Sequence, residues 1–248
     1  MPSLVGSEMC IRDSYTRDLD LKTAIAGVNY DKGSTHYSRE NFTSYPDNVI
    51  VTHITADGSE KISLDVSVEP DNSRGSAING IGDSSYQRTW DTTVSDGRIS
   101  INGQLTDNQM KFSSQTQVIT DNAGTVTDGD GKVSVSGASE VTIITSMGTD
   151  YKDEYPSYRT GETASELTNR VKWYVDQAAV KTYEELKANH VSDYQEIFNR
   201  VDLNLGQTVS TKTTDALLSA YKAGTASEAE RRQLEVMLFQ YGSCLLYT

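Results

Sequence analysis

Three aspartates in a glycine-rich stretch, Asp121, Asp128 and Asp130, have the residue type that binds calcium. A calcium loop of the EF-hand type beginning at Asp128 needs an oxygen ligand at its fifth position and a glutamate at its twelfth. Lys132 and Ser139 occupy those two positions. We therefore predict a hairpin turn here, built on the turn chemistry of Asp and Gly, and no metal site.

Paired carboxylates that could act as acid and base occur at 153–154 and 184–185, with a further candidate at Glu228. Adjacent side chains on a helix point in different directions, so neither pair converges on one substrate atom. Glu184 and Glu185 follow Thr182, where negative charge favours the first turn of a helix. We predict that they stabilise a helix start.

The three histidines, His36, His53 and His190, are too widely scattered for a metal-ligand spacing. His190 falls on the apolar face of a predicted helix. We predict that it is a hydrogen-bonded packing residue between two domains, and neither an acid nor a base.

Five aromatic residues in predicted loops could stack on sugar rings: Tyr86, Trp90, Tyr151, Tyr155 and Tyr158. Aromatic residues beside a sheet more often pack domains together, because their large apolar rings are favourable to bury. We predict packing for these five.

Charge and hydropathy exclude two classes of partner. The 248 residues have a formal net charge of −13, which repels polyphosphates, so we predict no nucleic-acid binding. No apolar run approaches the roughly 20 residues that a membrane-spanning helix needs, so we predict no membrane-spanning segment.

The two cysteines lie in hexapeptides near the chain ends, MCIRDS at 9–14 and SCLLYT at 243–248. The first can be encoded by ATGTGTATAAGAGACAGC. The reverse complement of that DNA contains CTGTCTCTTATACACA, which can also encode most of the second. That DNA resembles a sequencing-library adapter. We predict that residues 1–14 and 243–248 are translated adapter, and different codons there would contradict this.

Short strands separated by turns dominate the first 150 residues. Residues 17–56 predict four strands, and 61–69 alternate strictly between apolar and polar positions, as in a sheet with one solvent-exposed face. Residues 70–95 predict a long loop with one weak strand. Further strands are predicted at 98–101, 110–120, 132–136 and 141–146. This spacing favours an antiparallel β-sandwich.

Four helices are predicted after Gly148. Thr163 is expected to cap the first, which runs to about residue 180, and the apolar positions of the second extend from 183 to 201. The third begins at Thr214 and stops at Gly224. The fourth begins at Ser227, and its predicted inner face comprises Leu234, Met237, Leu238 and Tyr241. Antiparallel helices with short loops indicate the start of a helical domain.

An ordered set of segments resembles glycoside hydrolase family 95. These segments are YTRDLDL at 15–21, SYPDNVIV at 44–51, TYEEL at 182–186, FNRVDL at 198–203 and LFQYG at 238–242. The family comprises inverting α-L-fucosidases, some of which act on α-L-galactosides. The set spans nearly all of residues 15–242, although no single segment in it is chemically specific.

The resemblance implies a fold class and domain limits. We expect an incomplete antiparallel β-sandwich, followed by a helical linker and the start of an (α/α)6 barrel. The limits are 15–148 for a partial N-terminal sandwich domain, 149–206 for the linker and 207–242 for the first part of the catalytic barrel. Because leading strands of the family sandwich are missing, we expect exposed sheet edges and poor solubility.

The resemblance also implies a reaction, the hydrolysis of terminal α-L-fucosyl or α-L-galactosyl residues of glycans. In the family a Glu is the general acid, and an Asn supported by an Asp activates the water. Those groups lie in the barrel beyond residue 242. We therefore assign no catalytic, cofactor-binding or metal residue and no cofactor, and expect the fragment to be inactive.

Two alternatives remain open. One is a carbohydrate-binding β-sandwich module without catalysis, and the other is the N-terminal domain of a related family 65 phosphorylase-type enzyme. For the parent protein we expect a fucosylated oligosaccharide or glycan as partner, a bacterial and metagenomic origin, and a secreted, cell-surface or periplasmic location.

Overall fold

A computed structural model describes residues 13–70 and 88–245 and divides them into two compact units. Unit 1 comprises residues up to 18 together with 26–190, and unit 2 comprises 19–25 together with residues from 191 onward. Tyr86 and almost all of the loop predicted before residue 88 lie outside the described residues. Among the described residues, none of the helices is long and apolar enough to cross a membrane.

The strands form two sheets. In chain order they are β1 (Asp13–Asp20), β2 (Ile25–Lys32), β3 (Thr35–Ser44), β4 (Val49–Asp57), β5 (Ile62–Ser67), β6 (Arg88–Ser95), β7 (Arg98–Leu105), β8 (Lys111–Thr120), β9 (Thr125–Asp128), β10 (Lys132–Ala138) and β11 (Glu140–Thr149). The large sheet has the order β1-β2-β3-β4-β11-β8-β7-β6, and the small sheet has the order β5-β10-β9. The predicted antiparallel sandwich is thus present, with eight strands in one sheet and three in the other.

The core of unit 1 lies between the two sheets. Alternate residues of each strand point to the same face, and the inward-facing positions are apolar. The buried members are Ala56, Ile62, Ile99, Ile101, Val118, Val133, Val135, Ala138 and Val141. Trp90, on β6, packs against this cluster within unit 1, whereas it was predicted to pack domains together.

Two tight turns order the first hairpins. Lys32 pairs with Thr35, so β2 and β3 are joined through Gly33, whose φ of +59° suits glycine. Between β3 and β4, the amide of Asn48 donates to the carbonyl of Tyr45 at 3.1 Å. The four strands predicted over residues 17–56 are confirmed as β1 to β4.

Three strand predictions need correction. Strand β9, with the sequence TVTD, was not predicted, because one apolar residue in four gives little alternation. Strand β7 continues to Leu105 rather than residue 101, since its polar residues 102–104 still pair with β6 and β8. Strand β6 is a full eight-residue partner of β7, where only one weak strand was predicted.

The four helices are α1 (Ala164–Ala179), α2 (Tyr183–Phe198), α3 (Thr214–Lys222) and α4 (Glu228–Leu245). Three of them begin with a Ser or Thr whose hydroxyl accepts from the backbone three residues on, while the glutamate there accepts in return. These pairs are Thr163 with Glu166, Thr182 with Glu185, and Ser227 with Glu230. Such reciprocal pairs satisfy amides that otherwise lack a helical partner.

Two helix predictions were wrong. Helix α2 ends at Phe198, before Val201, because the amide of Arg200 bonds to the carbonyl of Ile197, three residues back, and closes the last turn. Helix α4 has no buried residue, and Leu238, predicted on its inner face, is 72% exposed. Periodicity predicts an apolar face but does not establish that another element covers it.

Regular structure reaches into both predicted adapter segments. Strand β1 begins at Asp13, and α4 continues through Cys244 to Leu245. The adapter origin concerns the coding DNA and stays a prediction.

Candidate functional site

A groove of about 430 Å³ lies in unit 1, between the large sheet and the edge of the small sheet. Within residues 13–70 and 88–245, three strands face eight, so the small sheet covers only part of the large sheet. The groove is lined by Tyr15, Val28, Tyr30, Lys32, Tyr37, Ser38, Arg39 and Ile54 from β1 to β4, and by residues 60–64 at the start of β5. A concave site of this size with aromatic and convergent polar side chains is typical of ligand pockets.

Three tyrosines form a row across strands β1, β2 and β3. Tyr30 and Tyr37 are directly opposite each other, and their rings stack with centroids 5.1 Å apart and planes 11° apart. The ring of Tyr15 lies 6.4 Å from that of Tyr30, tilted by 31°. We call Tyr15, Tyr30 and Tyr37 the tyrosine row.

The sequence contained a signal for this row. Tyr30 and Tyr37 are equally distant from the turn at Gly33-Ser34, so a two-residue hairpin must place them opposite each other. The four strands predicted over residues 17–56 include this hairpin, so its turn residues also predict the aromatic pair.

Charged side chains surround the tyrosine row. Lys32 Nζ lies 3.3 Å from Glu60 Oε2, and Lys61 Nζ donates to Ser139 Oγ at 2.5 Å. Burial and the neighbouring Glu60 carboxylate raise the pKa of Tyr37 above its ordinary value, so this phenol stays protonated at neutral pH.

Arg39 occupies the groove without an ion-pair partner among the described residues. Its cross-strand neighbours are apolar, Val28 on β2 and Ile54 on β4. The side chain is exposed and lines the groove. Its guanidinium is therefore available to a ligand, with hydrogen-bond donors in a fixed planar arrangement.

Two of the three aspartates of the calcium hypothesis, Asp121 and Asp128, bind backbone amides. Asp128 accepts from the amides of Asp96 at 2.7 Å and Gly97 at 2.9 Å, while Asp121 accepts from Gly124 at 3.2 Å and Ser139 at 3.1 Å. The turn predicted after Asp128 is present, with the Gly129 amide bonded to the Lys132 carbonyl at 2.9 Å. These carboxylates order loops.

The candidate carboxylate pairs are likewise engaged locally. Glu185 accepts from the amide of Thr182 at 2.8 Å, which is the helix-start role that was predicted. Glu228 forms an ion pair with Arg232 one helical turn later, and Glu154 pairs with Lys152. The structure brings none of these carboxylates into the groove.

His53 and His190 both take part in fixing α2 to the large sheet within unit 1. His190 is buried and stacks on Phe42 of β3, with ring centroids 4.8 Å apart. His53 of β4 stacks on Tyr183 at 3.7 Å, and its Nδ1 lies 2.9 Å from Thr142 Oγ1. His190 thus packs between α2 and β3 within unit 1, whereas it was predicted to pack between two domains.

Glu40 joins the same contact from β3. Its carboxylate accepts a hydrogen bond from the Tyr183 hydroxyl and from Lys187 Nζ at 2.7 Å. Burial opposes ionisation of Glu40, but the Lys187 and Tyr183 donors outweigh it and hold the pKa of Glu40 below its ordinary value. We call Glu40, His53, Tyr183 and Lys187 the α2 docking cluster.

The loop between β11 and α1 displays three tyrosines whose packing was predicted. Tyr151, Tyr155 and Tyr158 are exposed, and Tyr155 and Tyr158 meet edge to face with centroids 6.4 Å apart. Buried Asp150 anchors the loop by accepting from the Lys111 amide at 2.9 Å. The three rings are not part of the core of unit 1, and their packing between domains stays a prediction.

Comparison with solved structures gives the class of the fold. A kojibiose phosphorylase from the human microbiome superposes with a TM-score of 0.54 over 75% of this chain and 25% of that chain, at 9% sequence identity. At this identity the likeness shows the fold alone, a β-sandwich of the type found in that protein.

Comparison of sequences gives the family. Residues 7–154 match the family model described as glycosyl hydrolase family 65, N-terminal domain, and the chain belongs to this family. Residues 182–248 match the glycosyl hydrolase family 95 catalytic domain. These two matches follow each other along the chain, and together they confirm the predicted resemblance to a family 95 protein.

Two curated relatives match 94% of this chain each. Alpha-L-fucosidase 2 of Arabidopsis thaliana is 29% identical over 247 residues, and a protein named alpha-fucosidase A in Aspergillus niger is 28% identical over 242 residues. The chain spans 28% of the length of each.

Proposed function

We propose that this chain is part of a glycoside hydrolase that removes terminal α-L-fucosyl or α-L-galactosyl residues from glycans. The order of the two family matches is the observation that supports this most strongly, because a sandwich domain is followed by a family 95 catalytic domain. The relatives named as fucosidases match across both parts. The family 95 match also favours a hydrolase over the family 65 phosphorylase alternative.

The described residues then have a scaffolding role. Unit 1 fixes α1 by apolar packing and the first half of α2 by the docking cluster. We propose that this arrangement supports the catalytic domain and that the 248 residues alone do not hydrolyse fucosides. The span of 28% of the relatives' length supports this proposal.

Hydrolysis of aryl glycosides tests both statements. The product of the complete gene and the 248-residue chain are assayed side by side on p-nitrophenyl α-L-fucoside and p-nitrophenyl α-L-galactoside. We expect turnover by the complete protein only, and the ratio of the two rates gives its sugar preference. Turnover by the 248-residue chain, or none by the complete protein on either substrate, contradicts the proposal.

We also propose a secreted, cell-surface or periplasmic location for the parent protein, because glycans of this kind are extracellular polymers. Fractionation of the source cells followed by immunodetection tests this, and exclusive recovery in the cytosolic fraction contradicts it.

A further inference from the structure

The groove beside the tyrosine row has a charge opposite to that of the protein. Lys32, Arg39 and Lys61 contribute three positive charges against the one negative charge of Glu60, whereas the whole chain has a net charge of −13. Concave sites with one sign of charge concentrate ligands of the other sign. The groove therefore attracts anions locally, although the net charge of the whole protein repels them.

The position of Arg39 is also evidence against an apolar occupant of the groove. An additional strand packed on this face would bury, between Val28 and Ile54, a guanidinium that has no ion-pair partner among the residues that the structure describes. Burying an unpaired charge costs several kcal/mol, so a continuous apolar core is an unfavourable occupant here. The groove is suited to a ligand that pairs with Arg39.

The tyrosine rings indicate the chemistry of the part of the ligand that does not contact Arg39. Tyrosine presents an apolar ring and a polar hydroxyl, which matches a pyranose with its C–H faces and its hydroxyl groups. The pair Tyr30 and Tyr37 supplies ring surface beside Arg39. Arg binds planar carboxylates with two parallel hydrogen bonds.

We propose that this groove is a binding site for an anionic saccharide, with its sugar ring against Tyr30 and Tyr37 and its carboxylate or sulfate group on Arg39. This proposal does not depend on the hydrolase assignment. It would attach the protein to acidic glycans.

Isothermal titration of the 248-residue chain tests the proposal. The probes are tri-galacturonic acid, its fully methyl-esterified form, which removes the charge with little change of shape, and a κ-carrageenan oligosaccharide, which contains sulfate but no carboxylate. We expect binding of at least one anionic probe that is about tenfold tighter than that of the ester and weakens with added salt. Preference for the galacturonate or for the carrageenan identifies the carboxylate or the sulfate as the group bound.

Variants locate the site. Arg39→Gln is expected to weaken binding of the anionic probe about tenfold and to leave the ester unaffected. Tyr37→Ala is expected to weaken both, whereas Arg200→Gln, the same charge change at an exposed arginine of unit 2, changes neither. Thermal melts of each variant establish that unit 1 is still folded. Absence of binding by both anionic probes, equal binding of acid and ester, or unchanged binding by Arg39→Gln overturns the proposal.

Discussion

Helices α1 and α4 begin with the same kind of capping pair and have 16 and 18 residues, but only α1 has a buried face. Leu167, Val171, Val175 and Ala178 of α1 are buried against β8 and β11. In α4 no residue is buried, and Leu238 is 72% exposed. Local signals are therefore sufficient to specify a helix in both places, while the stability that comes from packing belongs to α1.

The largest expected effect comes from truncating equivalent leucines in the two helices. Leu167→Ala removes a buried side chain and is expected to lower the free energy of unfolding of unit 1 by about 2–5 kcal/mol. Leu238→Ala removes an exposed one and is expected to change the free energy of unfolding of unit 2, which contains α4, by less than about 0.5 kcal/mol. Urea titration followed by tryptophan fluorescence measures the first loss, since Trp90 and Trp173 lie in unit 1, and far-ultraviolet circular dichroism of the helices measures the second. Equal losses in the two variants would show that α4 is packed in solution.

The next prediction concerns the close approach of α1 to β11. A Cβ added at Gly148 would lie 2.9 Å from Val171 Cγ2, which is closer than carbon atoms pack. Val171 is buried and β-branched, so its side chain has little freedom to move. Gly148→Ala is expected to cost about 1–3 kcal/mol.

The double variant Gly148→Ala with Val171→Ala tests the cause of that loss. We expect the double variant to lose less free energy of unfolding than the sum of the two single losses, because the smaller side chain at position 171 makes room for the added methyl group. Strict additivity of the single losses would contradict the steric explanation.

The α2 docking cluster adds a pH dependence near neutral pH, because it contains a histidine and α1 does not. Burial lowers the pKa of His53, although Glu140 and Glu40 oppose the shift. The unfolded chain therefore takes up a proton near pH 6.5 that the folded protein binds only at lower pH. Unit 1 should lose stability as the pH falls from 7.5 to 5.5, by at most about 1.4 kcal/mol per pH unit.

Two variants assign this dependence to His53. His53→Phe retains a ring beside Tyr183 but cannot titrate, so the loss between pH 7.5 and 5.5 should shrink. Thr142→Val removes the 2.9 Å contact to His53 Nδ1, so it should lower stability while retaining the pH dependence. Urea titrations at the two pH values measure both, and an unchanged slope in His53→Phe would assign the dependence to other groups.

The sequence predicted the strands and helix starts better than it predicted burial. Alternation at 61–69 and the Thr163 capping pair are local signals, so β5 and the start of α1 were found within a residue or two. The exposure of Leu238 depends on which elements face α4, which periodicity does not encode. The pairing of Tyr30 with Tyr37 followed from the hairpin, but the exposure of Arg39 depends on the width of a second sheet.

The smallest expected effect concerns the residues that cap the starts of α1 and α4. The part of the protein that loses stability when a cap is removed distinguishes a packed helix from an exposed one. Thr163→Ala and Ser227→Ala each remove a hydroxyl that accepts from a backbone amide, a loss of about 1 kcal/mol. In α1 the cap is coupled to buried Leu167, so the loss should appear in the global unfolding of unit 1. In α4 it should appear as faster amide exchange over the first turn only, because no buried side chain couples that turn to unfolding of a unit.

Hydrogen exchange with mass spectrometry separates the two cases, and Thr163→Ser and Ser227→Thr, which keep the hydroxyl, serve as controls. If Ser227→Ala lowered the protection of the whole of unit 2 equally, α4 would be as firmly docked as α1, and the contrast between the two helices would be wrong.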